Sequence, residues 1–162
     1  MEKMFINGRW VESSRTNPVE FPYTGEVVAE VPEAEEEHLE EAFSAAVDSL
    51  RTMSELPSHR RAEILRNVAE GIREEAEEWA KLLTLETGKP IRESRGEVAR
   101  AIRTLSLSAQ EAERIGGEIV PMDVVEAGEG WFGFYIRVPV GVVVAITPFN
   151  ACLLYTSPSP RD

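Results

Sequence analysis

The sequence is poor in the residues that build disulfide frameworks and metal sites. It contains one cysteine, Cys152, and two histidines among 162 residues. A single cysteine excludes an intrachain disulfide and is typical of a reducing compartment, and the isolated histidines provide no metal-ligand spacing. We therefore expect neither a disulfide scaffold nor a metal centre.

Long apolar runs and an excess of positive charge are also missing. No stretch reaches the roughly 18 apolar residues of a membrane span, and the N-terminal MEKMFINGRW lacks the apolar core of a secretion signal. The formal net charge of −12 disfavours nucleic acids and anionic membranes as partners, because both are negatively charged. A content of 43% hydrophobic residues is typical of globular proteins, and we predict a cytoplasmic one.

The first third of the chain changes from an extended to a helical pattern. Asn7 and Gly8 lie between short apolar runs, and because both tolerate positive φ they predict a tight hairpin. The segment GEVVAEVP predicts a second strand. From Glu33 to Thr52, apolar residues recur every three or four positions, which predicts an amphipathic helix. Its acidic start is interpreted as a solvated face that suits the helix dipole.

Two more helices are predicted before the pattern changes again. One begins after Pro57, with Ser58 as its N-cap, and carries an apolar stripe from Ala62 to Leu83. ETGKP interrupts that stripe, and Gly88 fits a helix C-cap. A third helix should run from about Pro90 to Ile115. Its predicted inward face is Val98, Ile102, Leu105, Ala109 and Ala112.

The C-terminal part favours β-structure. Residues Gly133 to Pro139 alternate like an exposed strand, which the proline confines to an edge or ends. Val142 to Ile146 is continuously apolar, which favours a parallel strand covered on both faces. Such a sheet needs crossover helices. None follows in this sequence, so we predict an incomplete sheet.

Three features resemble functional motifs without the context that they require. Gly128, Gly130 and Gly133 have the dinucleotide-binding spacing G-x-G-x-x-G, but that motif must open a helix and strand-like residues follow. We predict a hairpin turn there instead. Cys152 has no neighbouring cation, histidine or helix start to activate its thiol, and we predict that it is inert. Glu86 and Lys89 are explained by a helix-terminating loop.

Several segments, in order and near the usual spacing, resemble the NAD(P)-dependent aldehyde dehydrogenase superfamily. They are FINGRWVES, YTGEVVAEVP, RAEILRNVAEGI, LLTLETGKPIRESRGEVARAI, GGEIVP and RVPVGVVVAITPFN. The likeness covers Met4 to about Ala151, and LETGKP followed at the right separation by PVGVVVAITPFN is specific. Extra residues in NPVEFPYTGE, where the family is commonly shorter, affect only a surface loop.

The resemblance implies an α/β fold, namely the truncated amino-terminal part of an aldehyde dehydrogenase-like fold. Residues 1–116 would form a β-hairpin and three amphipathic helices packed on the cofactor domain, and 117–140 an oligomerisation-arm hairpin. Residues 141–151 would form the first strand of a Rossmann-like NAD(P)-binding sheet. The parent enzyme would be a homodimer or homotetramer that oxidises an aldehyde to a carboxylic acid with NAD or NADP. Its catalytic cysteine and general-base glutamate are missing from this chain.

The resemblance also assigns candidate site residues. Asn150 matches the family's side-chain donor to the oxyanion that forms when the cysteine thiolate adds to the aldehyde. An Asn in a turn after a strand is the alternative explanation, which the surrounding ITPFN outweighs. Ile146, Thr147, Pro148 and Phe149 match the stretch whose backbone lines the cofactor cleft, although a simple strand-end turn explains each of them about as well.

From Cys152 onward, CLLYTSPSPRD departs from the family. One choice of codons for it resembles a transposase adapter used in DNA sequencing libraries, so we expect residues 152–162 to be a non-native tail. A genuine disordered tail is the alternative.

Other functions remain open at this point. The chain could be a short, non-catalytic helical interaction module. Within the superfamily, a coenzyme A-acylating or acyl-phosphate-reducing enzyme is the alternative chemistry. On the main hypothesis, the chain as written is inactive by itself.

Overall fold

The computed structural model describes residues 2–147 and Leu153. The described elements are six short strands, four α-helices and two 3-10 turns. In chain order they are β1 Met4–Ile6, β2 Arg9–Val11, β3 Thr16–Glu20, β4 Val27–Pro32, α1 Glu36–Glu55, α2 Ser58–Glu74, α3 Ala76–Thr87, α4 Ile91–Arg114, β5 Gly117–Val120, the 3-10 turns Met122–Val124 and Glu126–Gly128, and β6 Gly133–Ile136.

Two antiparallel hairpins form the N-terminal part. β1 pairs with β2 across Asn7 and Gly8, whose φ angles of 50° and 75° confirm the predicted tight turn. β4, the predicted second strand, pairs with β3. β3 was not predicted as a separate strand. Pro18 lies within it, which is tolerated because each of these sheets has only two strands and so only edges.

Helix α1 is attached to the hairpins by a polar cap and not by a buried face. The Glu35 carboxylate accepts hydrogen bonds from the Ser13 hydroxyl, 2.9 Å away, and from the Ser14 N–H, and the Glu35 N–H donates to His38 Nδ1 at 3.1 Å. No residue of α1 is buried. The apolar face that predicted this helix, including Phe43 and Val47, is about half exposed.

The core lies where α4 packs against α2 and α3. Ala62 of α2 contacts Ala109 and Ala112 near the end of α4, so the start of one helix meets the end of the other and the two run antiparallel. A second cluster joins Ala80 and Leu83 of α3 to α4. Val98, Leu105, Ala109 and Ala112 are buried and Ile102 packs against the cluster, which confirms the inward face predicted for α4.

The helix boundaries correct the sequence predictions in three places. The predicted second helix is two helices, so the chain has four described α-helices and not three. The break is at Glu75 (φ −108°, ψ 22°), a kink across which the Glu75 N–H still bonds the Gly71 carbonyl and the Trp79 N–H bonds the Glu75 carbonyl. Ser58 is the first helical residue and Pro57 is the N-cap. α4 begins one residue after Pro90.

The turn between α3 and α4 forms as predicted. Gly88 is the C-cap of α3 in the left-handed conformation, φ 69°, and its N–H donates to the Thr84 carbonyl at 2.9 Å. This conformation is costly for any residue with a Cβ atom. A Cβ built on Gly88 would also lie 3.3 Å from Cβ of Pro22.

The glycine-rich segment lies in the connection between β5 and β6, which pair antiparallel. Gly133 opens strand β6 and not a helix, which confirms that Gly128, Gly130 and Gly133 do not form a dinucleotide-binding motif. Gly128 is required by close packing, because a Cβ there would lie 1.7 Å from the Met122 carbonyl oxygen. β6 ends at Ile136, earlier than the predicted Pro139.

The predicted parallel strand at Val142 to Ile146 is not present. These residues belong to no strand, and their apolar side chains are between 42% and 90% exposed. The cause is the lack of a hydrogen-bonding neighbour, since no strand of the described residues pairs with this segment. The residue types fit a buried strand, but a strand needs a partner to form its ladder.

We predict that Gly88→Ala lowers the unfolding free energy of the chain by about 1–2 kcal/mol, since the left-handed conformation is strained for alanine. Urea denaturation followed by circular dichroism measures the loss. Gly71→Ala is the matched control. Gly71 lies in the exposed interior of α2 with no atom within 4 Å of the added Cβ, so this variant should gain up to about 1 kcal/mol. Equal effects of the two substitutions would contradict the prediction.

Candidate active-site segment and its buried support

The predicted site residues fall at the end of the described chain. Ile146 and Thr147 are described and exposed, Ile146 at 90%. Pro148, Phe149 and Asn150 lie outside the described residues, so the oxyanion and cofactor assignments for them stay predictions. Leu153 is described again, and its contacts show where the chain goes after the candidate segment.

Local hydrogen bonds shape the turn that carries Lys89. The Thr87 hydroxyl donates to the Leu83 carbonyl at 2.5 Å and accepts from the Lys89 N–H at 3.3 Å. Together with the Gly88 cap, these bonds end α3 and turn the chain into α4. On the facing helices, the Thr84 and Ser94 hydroxyls are 2.9 Å apart, and Ser94 is fully buried.

Lys89 forms an ion pair with a deeply buried carboxylate. Its Nζ is 2.8 Å from Oε2 of Glu97, and the two side chains are 24% and 3% exposed. A buried carboxylate is costly unless it is paired and hydrogen-bonded. From the sequence, Lys89 was explained only by a helix-terminating loop. In the structure it has a further role, because it pairs with this buried carboxylate.

The second carboxylate oxygen of Glu97 reaches the segment that follows the candidate site. Oε1 accepts a hydrogen bond from the main-chain N–H of Leu153 at 3.3 Å. The Leu153 side chain packs against the cluster of Ala80, Leu83 and Val98. Glu97 thus connects α4, the α3–α4 turn and the chain after Asn150.

Glu97 was not predicted as a functional or structural residue, although its position in the sequence carries a signal. Glu97 lies between Ser94 and Val98 on the buried face of α4, which continues through Ala101 and Leu105. A charged residue on an apolar face of a helix is rare unless it is paired. That position, eight residues after Lys89, could have indicated a buried pair.

Glu86 lies near this pair in sequence and is partly buried. Burial raises the pKa of its carboxyl above the ordinary value of 4.5, because a low-dielectric environment disfavours the charged form.

Other site types find no support in the part of the chain that the structure describes. Within residues 2–147 and Leu153, no group of three or more His, Cys, Asp or Glu side chains could hold a metal ion. Among the same residues, no helix combines the length and apolar character that a membrane crossing requires.

A sequence profile of the aldehyde dehydrogenase family matches residues 10–158. The chain belongs to this family. A 3-sulfolactaldehyde dehydrogenase from Priestia aryabhattai is 41% identical over 147 residues, which are 91% of this chain and 30% of that relative. The chain therefore spans about 30% of the length of the relatives that it matches.

Solved aldehyde dehydrogenases share the fold. Aldehyde dehydrogenase 21 from Physcomitrella patens, in complex with the reaction product succinate, superposes with a TM-score of 0.76 and 34% identity, over 82% of this chain and 28% of that one. A betaine aldehyde dehydrogenase double mutant from Staphylococcus aureus, in complex with NAD+, superposes with a TM-score of 0.70 and 31% identity. The superposition covers 74% of this chain and 25% of that one. The predicted fold class is confirmed, with the corrections to helix number and final strand given above.

We predict that Lys89→Met lowers the unfolding free energy by roughly 2–3 kcal/mol, because it leaves the Glu97 carboxylate buried without its cation. Urea denaturation near neutral pH measures this loss. The control is Lys81→Met, which breaks an ion pair with Glu78 that is more than half exposed on both sides. Exposed pairs contribute little, so the control should stay close to the wild type. A Lys89 variant as stable as the control would contradict the buried-pair role.

Glu86 provides a pH-dependent prediction. Burial raises the pKa of Glu86 in the folded state, so the folded state favours the protonated carboxyl. The unfolding free energy therefore falls as pH rises from the unfolded-state pKa through the folded-state pKa. Glu86→Gln stays neutral, so it should have a higher urea midpoint than the wild type near neutral pH. Below about pH 4 the difference should vanish. Glu74→Gln, at an exposed position of α2, is the matched control, and its urea midpoint should stay near that of the wild type.

Proposed function

We propose that this chain forms the amino-terminal part of an NAD(P)-dependent aldehyde dehydrogenase that oxidises an aldehyde to a carboxylic acid. The observation that carries the proposal is the family match through ITPFN together with the shared fold. Residues 1–116 would pack on the cofactor domain, 117–140 would form the arm, and 141–151 would begin the cofactor-binding sheet. The chain alone would turn over no substrate.

Asn150 is assigned the role of oxyanion donor. When a thiolate adds to an aldehyde, the carbonyl oxygen gains negative charge, and a fixed amide N–H directed at that oxygen stabilises the transition state more than the neutral aldehyde. Amide side chains suit this task because they donate a hydrogen bond without changing protonation state.

The cofactor enters the proposal through the family. The described residues do not form a phosphate-binding turn, since Gly133 leads into a strand, and we derive no step of the reaction through the cofactor. NAD or NADP, when bound, would accept a hydride from the substrate carbon. Ile146, Thr147, Pro148 and Phe149 would line its cleft, which agrees with the exposure of Ile146 and Thr147, because ligands of α/β sheets bind at the carboxyl ends of the strands.

The arm assignment is supported by an exposed apolar hairpin. Ile119 of β5 and Phe134 and Ile136 of β6 are each more than 60% exposed. Exposed apolar surface of this kind is typical of protein–protein contacts. We propose that this hairpin joins subunits of a cytoplasmic homodimer or homotetramer.

The decisive experiment uses the complete enzyme, meaning a polypeptide of the relatives' full length that begins with residues 1–151 of this sequence and continues as the family does. Formation of NADH and NADPH is measured across a panel of aldehydes, with and without coenzyme A. Reduced cofactor formed only with coenzyme A would instead favour the acylating chemistry. No activity with any aldehyde would contradict the proposal.

We predict that Asn150→Ala lowers kcat of this enzyme by about a hundred- to a thousandfold, while the dissociation constant for the cofactor stays near that of the wild type. Stopped-flow kinetics and equilibrium titration of the cofactor measure the two quantities. Asn67→Ala, at an exposed position of α2, is the matched control, and its kcat should be unchanged. An unchanged kcat in Asn150→Ala would remove the assigned role.

A further inference from the structure

We infer that Arg61, at the start of α2, binds an acidic side chain supplied by the part of the complete enzyme that follows residue 151. The inference rests on the proposed function only in taking the chain to continue as the family does. It depends on three observations. Arg61 is partly buried without a carboxylate partner among the described residues, its guanidinium is held in place, and it lines a cavity that opens into uncovered apolar surface.

Arg61 differs from the other positive charges of the described chain. The sequence has 17 lysines and arginines, of which Arg161 lies outside the described residues. Eleven of the other 16 form ion pairs with glutamates. The remaining five are Arg61 and four exposed arginines, which water solvates. Removing a charge from water is costly unless the charge is paired, so the partly buried Arg61 is the cation that needs a partner.

Hydrogen bonds at the end of α1 hold the Arg61 guanidinium in place. Nη1 donates to the Leu56 carbonyl at 2.6 Å, and Nη2 donates to the Ser58 hydroxyl at 3.1 Å. Basic side chains commonly bind the last carbonyls of a helix, but this role uses only two of the five N–H groups of an arginine. The other three have no acceptor among the described residues. A carboxylate suits them, because its two oxygens match the fork of a guanidinium.

Arg61 lines a cavity of about 390 Å³ between the end of α1, the start of α2 and residues 137–141. Arg137 lines the same cavity, and no Asp or Glu of the described residues does so, although the sequence has 29 acidic residues. The apolar part of the wall consists of Leu50, Met53, Ile115, Val138 and Pro139. A cavity with positive charge and an apolar wall is complementary to a carboxylate that is flanked by apolar groups.

The polypeptide that follows residue 151 is the occupant that this cavity favours. The apolar wall continues into the exposed run around Gly141, where Val140 is 89% and Val142 is 42% exposed. A small-molecule site encloses most of its ligand, whereas this cavity is part of a larger uncovered apolar surface, which is typical of a contact between protein segments. Only ten residues lead from Gly141 to residue 151, so the following polypeptide starts near the cavity.

The test uses Arg61→Lys in the complete enzyme defined above. A carbodiimide couples a lysine amine to a carboxylate that it contacts, and mass spectrometry of the digested protein identifies the carboxylate. We expect residue 61 to be joined to an Asp or Glu beyond residue 151 of the same polypeptide. Mixing isotope-labelled with unlabelled subunits distinguishes links within a polypeptide from links between subunits. Arg60→Lys is the matched control and should be joined to Glu63, because Arg60 pairs with Glu63.

Reversal of the charge provides a second measurement. Arg61→Glu places two negative charges side by side, so we expect the rate of thermal inactivation of the complete enzyme to rise about tenfold or more. Changing the acidic residue found by cross-linking to lysine should restore most of the loss in the double variant, since opposite charges then meet again. Arg60→Glu, at an exposed position, should change the rate by about twofold or less.

Two results would overturn the inference. One is that residue 61 is joined only to carboxylates before residue 152 or to another subunit, or to none while the Arg60→Lys control is joined to Glu63. The other is a charge reversal that the second reversal does not rescue. Arg61→Lys keeps the positive charge, so the cross-linking does not depend on the folding of Arg61→Glu.

Neither measurement uses enzymatic activity, so the two proposals fail separately. A complete enzyme that oxidises aldehydes but lacks the link from residue 61 would refute this inference and leave the proposed function intact. A complete enzyme that has the link but oxidises no aldehyde would refute the proposed function alone.

Discussion

The close packing of α4 against α2 and α3 is the interaction on which the rest of the structure depends. At its contacts the residues are small: Ala62, Ala80, Ala101 and Ala109 are completely buried. Alanine allows helix backbones to approach closely and costs little conformational entropy in a helix. The close approach leaves a side chain on this face without a route to solvent. Glu97 lies on this face, so its charge has to be satisfied by groups inside the packed layer.

Features that depend on neighbouring residues could be predicted from the sequence. The turn at Asn7 and Gly8, the C-cap at Gly88 and the buried stripe of α4 each follow from local conformational preferences or helical periodicity. The kink at Glu75 could not be predicted, because no glycine or proline marks it and the apolar stripe continues across it with an unbroken three- and four-residue spacing. A kink that retains its flanking hydrogen bonds does not change the spacing of the apolar residues.

Features that depend on distant residues were predicted only in part. The apolar run from Val142 to Ile146 has the composition of a buried strand, but a strand forms only beside another strand, and none of the described strands pairs with this run. Glu97 was missed because its significance comes from contacts with Lys89 and Leu153, of which the second is 56 residues away. The proposed role of Asn150 comes from resemblance to the family. Composition and periodicity could not have given it, because they carry no information on contacts between distant residues.

The buried charge of this chain, on Glu97, has its partners within the chain, whereas much of its apolar surface is uncovered. The faces of α1 and of the β5–β6 hairpin, like residues 142 to 146, expose large apolar side chains, which the proposed enzyme would cover with surfaces from outside the described residues. The Glu97 carboxylate, in contrast, already has a partner for each oxygen. A buried charge without a partner costs more free energy than exposed apolar surface does, so the ion pair of this layer is complete within the chain although the apolar faces are not.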